Sequence, residues 1–452
     1  MKESVQTQQK GLVGKYYPYP EYKDSGVEWL GEVPSEWIAT RLKFIASINM
    51  GQSPNSEDCN DLGIGNPFLQ GNAEFGQRSP TPKQYCDSAK KNANVGDFLF
   101  SVRAPVGAVN IADQRYGIGR GLCAIRSHED IAHLYLWWVL QTSKIQFDAI
   151  STGSTFEAVS SEQVCNFALA IPSKYEQHTI ATFLDYETAR IDRLIAQQQR
   201  LIELLKEKRQ AVISQAVTKG LNPNTPMKDS GVEWLGQVPE HWVVTALKRY
   251  WGVVDCKHIT AEFIDDGIPL ASIREVQSWE VDLSNAKQTS EEYYNALIDG
   301  GRIPENGDII YSRNATVGEA ARVTAEHPRF AMGQDVCLLK RIRKCIDTDF
   351  FMYQLKSRII SYQLDTLMVG STFKRINVDD IRNFVVVVPP EDEAVAIRSY
   401  LNDFDRKYKN IEQSASRQVS LLQERRTALI SAAVTGKIDL RGWTPPAEEV
   451  AA

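Results

Sequence analysis

The sequence predicts an α+β protein in which two similar α/β globules alternate with two long helices. The helices are expected to pair antiparallel as an intramolecular coiled coil that gives the chain pseudo-two-fold symmetry. The segment KDSGVEWLGEVPSEW at 23–37 returns as KDSGVEWLGQVPEHW at 228–242. Residues 175–219 and 391–435 each lack glycine and proline and carry apolar residues at heptad spacing. An internal repeat of this extent determines the architecture.

Composition restricts the class of protein. The chain has 452 residues, of which 43% are hydrophobic and 24% charged, as in ordinary globular proteins. No apolar run approaches the roughly 18 residues that span a bilayer, and the N-terminus lacks the apolar core of a signal peptide. Seven cysteines without a CxxC pair indicate free thiols in a reducing cytoplasm. The net charge of −6 disfavours a protein that coats DNA but is compatible with a local basic groove.

Further matched segments extend the repeat over the whole chain. GDFLFSVRAPVG at 96–107 matches GDIIYSRNATVG at 307–318, and GSTF occurs at 153–156 and at 370–373. Length changes between the copies fall in their middles, which is typical of surface loops. The predicted boundaries are an N-terminal tail at 1–22, the first globule at 23–173, the first long helix at 174–222, the second globule at 223–390, the second long helix at 391–437 and a C-terminal tail at 438–452.

The long helices are expected to pack along an apolar seam, and Gly220 and Gly436 are expected to end them. The seam follows alternating steps of four and three residues and is interrupted by polar residues, which are Glu187, Gln198, Lys208, Gln418 and Arg425. These polar positions either fix the register or contact another protein. The predicted apolar seam is Ile180, Leu184, Ile191, Leu194, Leu201, Leu205 and Val212 in the first helix, and Ile397, Leu401, Phe404, Tyr408, Ile411, Leu422 and Leu429 in the second.

No motif predicts a catalytic residue or a metal site. His128 and His133 are five residues apart, and on a helix such residues diverge by about 140°, so they would not share a metal ion. The glycines at 117, 119 and 121 favour a tight turn over a phosphate-binding loop. The repeat carries no duplicated catalytic set. The chain is therefore predicted not to be an enzyme by itself.

These segments together resemble the specificity subunit of a type I DNA restriction–modification complex over essentially the full length. The resemblance rests on KDSGVEWLGxVPxxW in both halves, GSTF before each terminal strand, Glu176-Gln177 at the start of a long helix, and AVT at 216–218 and 433–435. One departure from the pattern is that Glu393-Ala394 stands at the start of the second helix, where the Glu176-Gln177 pair would be repeated.

The resemblance implies that the two globules are target recognition domains 1 and 2, that the long helices are spacers, and that the work is divided between subunits. The chain would read a bipartite, asymmetric site in double-stranded DNA and hold no cofactor of its own. Two methyltransferase subunits would bind S-adenosylmethionine and methylate adenine, and two restriction subunits would use ATP and Mg²⁺ for translocation and cleavage. No membrane partner is expected.

Residues that contact DNA are expected among arginine, lysine, asparagine and glutamine side chains in loops, because these side chains reach base edges and phosphates. The candidates in the first globule are Gln70, Asn72, Arg78, Lys83, Arg103, Arg115 and Arg120. Those in the second globule are Arg274, Arg302, Arg313, Asn314, Arg322, Lys374 and Arg375.

Residues that dock partner subunits are expected in the repeated segments, because two copies of one partner need two copies of one surface. Two interpretations apply to the tryptophans: they anchor a partner, or they pack inside their own globule or against the helix ends. The helix charges either dock the methyltransferase or face solvent. The candidates are Trp29, Trp37, Trp234, Trp242, Lys208, Arg209, Arg425 and Arg426.

Two other classes of function stay open from the residues. One is a non-catalytic coiled-coil scaffold with two protein-binding adaptor globules, which would show no sequence-preferred DNA binding. The other is a methyltransferase or nuclease with an unrecognised site, which would turn over as a purified chain.

Overall fold

A computed structural model describes residues 16–150, 158–342, 347–368 and 375–446. Both GSTF segments and Lys374 lie outside these ranges. The predicted α+β class is confirmed, with two mixed α/β globules that alternate along the chain with two long helices.

The first globule is built mainly from two sheets. One is antiparallel with strand order β10-β9-β12-β4, and the other has order β5-β7-β6-β11-β8 with β6 and β11 parallel. Its helices are α1 (His133–Ile150) and α2 (Ser161–Cys165). Its strands are β1 (Tyr22–Asp24), β2 (Glu32–Pro34), β3 (Ile38–Arg41), β4 (Ala46–Met50), β5 (Cys59–Asn60), β6 (Pro67–Leu69), β7 (Gln84–Cys86), β8 (Asn92–Ala93), β9 (Phe98–Ser101), β10 (Val109–Ile111), β11 (Tyr116–Ile118), β12 (Leu122–Ser127) and β13 (Ala168–Ile171).

Strand β9 lies at the centre of this globule. Its FLFS sequence is buried on both faces. Phe98 and Phe100 belong to the cluster that includes helix α1, whereas Leu99 belongs to a second cluster with Ile118 and Leu122. Because successive strand residues point to opposite faces, one apolar run fills both layers.

The first long helix, α3, spans Lys174–Lys219. Ser173 Oγ accepts a hydrogen bond from the Glu176 N–H at 3.3 Å, which caps the helix start. Gly220 follows the helix with φ +75°, a left-handed conformation that ends helices at little cost only for glycine.

The second globule repeats the arrangement, with antiparallel order β17-β24-β21-β22 and a second sheet of order β18-β20-β19-β23. Residues 348–367 form two helices rather than one, because the Ser357 hydroxyl accepts from the Ile359 N–H and starts the second. The helices are α4 (Glu291–Ile298), α5 (Thr348–Leu355), α6 (Arg358–Leu367) and α7 (Val378–Arg382). The strands are β14 (Met227–Asp229), β15 (Gln237–Pro239), β16 (Val243–Ala246), β17 (Trp251–Asp255), β18 (Phe263–Ile264), β19 (Ile268–Ala271), β20 (Gln288–Thr289), β21 (Ile309–Ser312), β22 (Ala320–Arg322), β23 (Ala331–Met332), β24 (Val336–Arg341) and β25 (Val385–Val388).

The second long helix, α8, spans Glu391–Val434, and Gly436 follows it with φ +70°. In the part of the chain that the structure describes, neither this helix nor any other combines the length and apolarity that crossing a membrane requires.

The chain divides into two compact units, Met1–Gln198 with Arg417–Ala452, and Gln199–Ser416. Each unit therefore contains one globule, the first half of the helix that follows it and the second half of the other long helix. In the first unit, Arg426 Nε donates to Asp192 Oδ1 at 2.9 Å. In the second, Arg209 pairs with Asp405 and Lys206 with Glu412, so residue numbers rise along one helix and fall along the other. The helix halves in that unit are antiparallel.

Eleven of the fourteen predicted seam residues are buried or half-buried, and three are exposed. Ile191 and Leu205 in α3, and Leu401 and Leu429 in α8, are buried or half-buried as expected. Leu194, Leu201 and Ile411 were wrongly assigned to the seam, because they are 38%, 39% and 49% exposed. The neighbours on their C-terminal side take the seam positions instead, and Phe404 is half-buried beside the buried Asp405. The displaced seam positions are Ile195, Ile202, Arg209, Asp405, Glu412, Val419 and Arg426.

Candidate nucleic-acid interface

The first globule brings three predicted DNA-contacting residues to one loop edge, which we call edge 1 and define as Gln70, Arg103 and Arg120. The Gly121 N–H donates to the Gln70 carbonyl at 3.2 Å, and the Val102 N–H donates to the Gly121 carbonyl at 3.0 Å. These bonds hold together the loops that follow β6, β9 and β11. All three side chains of edge 1 are exposed, so it presents two guanidinium groups and one amide to solvent.

A close backbone approach at Gly119 forms edge 1. A Cβ atom at this position would lie 2.5 Å from Gln70 Oε1 and 3.0 Å from Gln70 Cα, so no other residue fits without displacing Gln70. Gln70 Nε2 donates to Ser53 Oγ at 2.8 Å, and the Arg120 N–H donates to the same hydroxyl at 3.3 Å. Ser53 therefore joins the Gln70 side chain to the Arg120 backbone.

The second globule contains an equivalent edge, which we call edge 2 and define as Ser272, Asn314 and Gln334. Strands β19 and β23 pair in parallel, as β6 and β11 do in the first globule. The Gly333 N–H donates to the Ala271 carbonyl at 2.8 Å, and the corresponding bond between the ends of β11 and β6 is also 2.8 Å.

Two further contacts establish which residues of the edges correspond. The Arg313 N–H donates to the Asp335 carbonyl at 2.9 Å, in the place of the bond that Val102 makes at edge 1. Arg103 and Asn314 each form an isolated antiparallel bridge with a later segment of their own globule. The equivalent pairs are Gln70 with Ser272, Arg103 with Asn314, and Arg120 with Gln334.

A cleft of about 410 Å³ opens beside edge 2. Its lining includes the predicted residue Arg274, together with Thr260 and Gln334, whose side chains are hydrogen-bonded at 3.1 Å. Lys287 Nζ lies 4.2 Å from the centroid of the Phe263 ring, which is 56% exposed. The cleft thus combines cationic, amide and aromatic groups, which are the groups that bind phosphates and bases.

The other candidates of the first globule are surface residues of adjoining loops. Lys83 and Arg115 are exposed and Asn72 is half-buried. Arg78 is exposed but lies near the helices: burial lowers the pKa of His133, and the charge of Arg78 lowers it further. Burial raises the pKa of the Asp185 carboxyl in α3, and the positive charge of Arg78 partly opposes that rise.

Three arginines of the second globule are structural, which corrects their assignment as DNA contacts. Arg313 is 4% exposed, and its Nη2 lies 2.6 Å from Asp255 Oδ1. Arg302 donates to the carbonyls of Asp255 and Asp299. Arg322 pairs with Glu280 and Asp349. Their guanidinium groups are committed to neighbours within the globule. Arg375, by contrast, is exposed and forms its bridge with Asn314.

The prediction missed Gln334. The sequence did contain a signal for this residue. The β-strand pattern continues after GDFLFSVRAPVG and after GDIIYSRNATVG, as far as GIGRGL at 117–122 and AMGQDV at 331–336. In both segments a glycine precedes the residue at the loop tip. Sequence identity is too low there to show the correspondence without the hydrogen bonds.

Two of the four predicted docking tryptophans are buried in their own units. Trp37 and Trp242 are both 0% exposed. Trp37 Nε1 donates to Glu176 Oε1 at 3.2 Å, and Trp242 Nε1 donates to Glu393 Oε2 at 2.6 Å. Each tryptophan therefore packs at the start of the long helix that follows its globule, and burial excludes it from partner contact. Glu393 performs the role of Glu176, so the departure from the Glu-Gln pair preserves this bond.

The other two tryptophans reach the surface. Trp29 is 38% exposed and stacks on Phe167 at 5.7 Å, and the half-buried Trp234 stacks on Tyr362 at 5.2 Å. Among the candidate charges, Lys208 and Arg425 are exposed. Arg209 and Arg426 are half-buried and form the ion pairs between helix halves described above, so their side chains are engaged within their units.

Sequence comparison supports one family. A family profile described as "Type I restriction modification DNA specificity domain" matches residues 34–204 and 268–419. A relative named as a type I restriction enzyme MjaX specificity subunit, from Methanocaldococcus jannaschii, is 32% identical over 49% of this chain, and the match spans about half (53%) of the length of that relative. The MjaIX specificity subunit of the same organism is 21% identical over 92% of this chain and 96% of the relative. The EcoBI specificity subunit of Escherichia coli is 21% identical over 92% of this chain and 90% of its own.

Solved structures show a similar fold. A chain from a study described as "Structural basis underlying complex assembly and conformational transition of the type I R-M system" has a TM-score of 0.69 at 15% identity, covering 89% of this chain and 98% of that chain. The HsdS subunit from Thermoanaerobacter tengcongensis has a TM-score of 0.51 at 16% identity, covering 90% of this chain and 98% of its own. At these identities the likeness concerns the fold alone.

Proposed function

Because the chain belongs to the family of type I restriction modification DNA specificity domains, we propose that it is the sequence-reading subunit of a type I restriction–modification complex. It binds a bipartite, asymmetric site in double-stranded DNA, and each globule reads one half. The chain is non-catalytic, and the chemical steps belong to partner subunits.

The observation that carries this proposal is the pair of equivalent edges with different side chains. Edge 1 has Gln70, Arg103 and Arg120 where edge 2 has Ser272, Asn314 and Gln334. The backbone that supports both edges is the same, as the matching hydrogen bonds indicate. A repeated scaffold with unlike side chains suits a DNA site whose two halves have different sequences, because base identity is read by side chains in the groove.

The partners in this proposal follow from the family. Two methyltransferase subunits hold S-adenosylmethionine and methylate adenine, and two restriction subunits use ATP and Mg²⁺ to translocate and cleave DNA. This chain needs no cofactor for its part. The long helices also expose apolar side chains that lie outside the seam, and a partner subunit would cover them. These residues are Leu194, Leu201 and Ile411.

The repeated tryptophans Trp29 and Trp234 provide one test of partner docking. We expect the double replacement Trp29→Ala and Trp234→Ala to weaken methyltransferase binding by about 2 kcal/mol per site, because exposed aromatic anchors dominate interfaces. Titration of the purified chain with the methyltransferase subunit measures the loss.

Phe44→Ala is the matched control, because Phe44 is 65% exposed but is not repeated. Phe44 ends a short 3-10 helix (Leu42–Phe44), and Arg249 ends the equivalent one (Leu247–Arg249). Equal losses in the control and the tryptophan variant would show that these tryptophans have no special role.

Methylation mapping tests the proposed function itself. The chain is expressed with its methyltransferase partner in cells that lack other adenine methylation, and the genome is sequenced for modified adenine. The proposal predicts one split motif with two defined words and an unread gap. A single uninterrupted motif, or methylation without sequence preference, would contradict it.

A further inference from the structure

Arg120 and Gln334 occupy the same place in the two globules. Each follows a glycine whose N–H donates at 2.8 Å to the end of a parallel strand. Each precedes a residue whose carbonyl accepts from the chain just after the central antiparallel strand, at 3.0 Å for Gly121 and 2.9 Å for Asp335. Hydrogen bonds on both sides therefore fix the backbone at these two loop tips.

The side chains at these tips are available to a ligand. Arg120 and Gln334 are both exposed. The Arg120 N–H donates to Ser53 Oγ at 3.3 Å, so a hydrogen bond holds the backbone of Arg120 while its guanidinium group is exposed. The Gln334 amide is oriented by Thr260 and lines the 410 Å³ cleft beside edge 2. A side chain on a fixed backbone loses less conformational entropy on binding than one on a mobile loop.

The two side-chain types differ in the base that they recognise. Arginine donates two hydrogen bonds to O6 and N7 of guanine, whereas glutamine donates to N7 and accepts from N6 of adenine. We propose that Arg120 reads a guanine in the half-site of the first globule and that Gln334 reads an adenine in the half-site of the second. This inference rests on the proposed function and identifies one equivalent position at which the two half-sites differ.

Methylation mapping of the complete complex with single variants tests the inference. Arg120→Gln is expected to lower the preference for guanine at one position of one half-site by on the order of 10- to 100-fold. Gln334→Arg is expected to do the same for adenine at one position of the other half-site. Every other position of the motif should stay unchanged in each variant.

Arg41→Gln is the matched control, because Arg41 is an exposed arginine of the first globule at the end of β3, outside edge 1 and outside the predicted DNA contacts. It should leave the motif unchanged. Thermal unfolding of each variant accompanies the mapping, and since both positions are exposed, unfolding temperatures should match the wild type. Arg120→Lys is a second variant that keeps the charge but loses the two-pronged geometry, and it should also relax the guanine position.

Three results would overturn the inference. The first is an unchanged motif in both variants. The second is weaker methylation of all sites equally, which would indicate a phosphate contact. The third is a change in the same half-site for both variants. If the wild-type complex gives no split motif, the proposed function fails; if it gives one and the variants leave it intact, only this inference fails.

Discussion

Replacing Trp242 with alanine is expected to destabilise the second unit by about 3–5 kcal/mol, the usual cost of removing a large aromatic side chain from a core. Trp242 is fully buried, and its ring approaches Gly220 at the end of α3 closely enough that a Cβ there would lie 3.3 Å away. Its Nε1 donates to Glu393 in the first turn of α8. One side chain thus joins the globule to both helix halves within that unit. Far-UV circular dichroism during urea unfolding measures the cost.

Trp234→Ala is the control for this prediction. Trp234 belongs to the same repeated segment but is half-buried and stacked on Tyr362. Removing it should cost about 1 kcal/mol, the scale of an aromatic pair at a surface. Because the chain has two units, unfolding should become two-stepped, with the second unit unfolding first in the Trp242 variant. Similar costs for both variants would contradict the structural role assigned to Trp242.

The second large effect is expected at the ion pair between helix halves in the second unit. Arg209 Nε and Nη2 donate to the two carboxylate oxygens of Asp405, both at 2.8 Å. The Asp405 side chain is 12% exposed and that of Arg209 32%. Arg209→Ala leaves a nearly buried carboxylate whose remaining hydrogen bond, among the described residues, comes from the Tyr353 hydroxyl at 3.3 Å. We expect a loss of about 2 kcal/mol, less than for a fully buried pair because solvent reaches Arg209.

Two variants separate the pair from its surroundings. Lys208→Ala, at the exposed neighbour, should change the free energy of unfolding by no more than about 0.5 kcal/mol. The double variant Arg209→Leu with Asp405→Leu should recover much of the loss, because no charge is left unpaired. A double variant less stable than Arg209→Ala would indicate that the ion pair is net stabilising beyond its desolvation cost.

The positions of the long helices could be predicted from the sequence. Two rows of residues alternate along the seam, and only one of these rows was predicted correctly. Heptad spacing fixes one row of contacts. The second row lies either three or four residues after the first, and the spacing does not decide between these two positions. Leucines at 194 and 201 favoured the wrong choice. The structure places Arg209, Asp405 and Arg426 at equivalent positions of the seam, where ion pairs replace apolar contacts. A pattern of hydrophobic residues cannot identify a contact made by charges.

The candidate site shows a similar limit. Gln70, Arg103 and Arg120 were predicted as separate loop residues, and the fold brings them together through parallel strands β6 and β11. Sequence alone could not distinguish the exposed Arg120 from the buried Arg313, because both follow short apolar strands. Only the carboxylate of Asp255, distant in sequence, accounts for the burial of Arg313.

An exchange of one globule tests the central claim most directly. Residues 23–172 are replaced with the corresponding globule of another specificity subunit of known motif, and the methylated motif of the hybrid complex is mapped. If each globule reads its own half of the site, one half of the motif should change to that of the donor and the other half should stay as in the wild type. A hybrid that changes both halves, or neither, would contradict independent reading by the two globules.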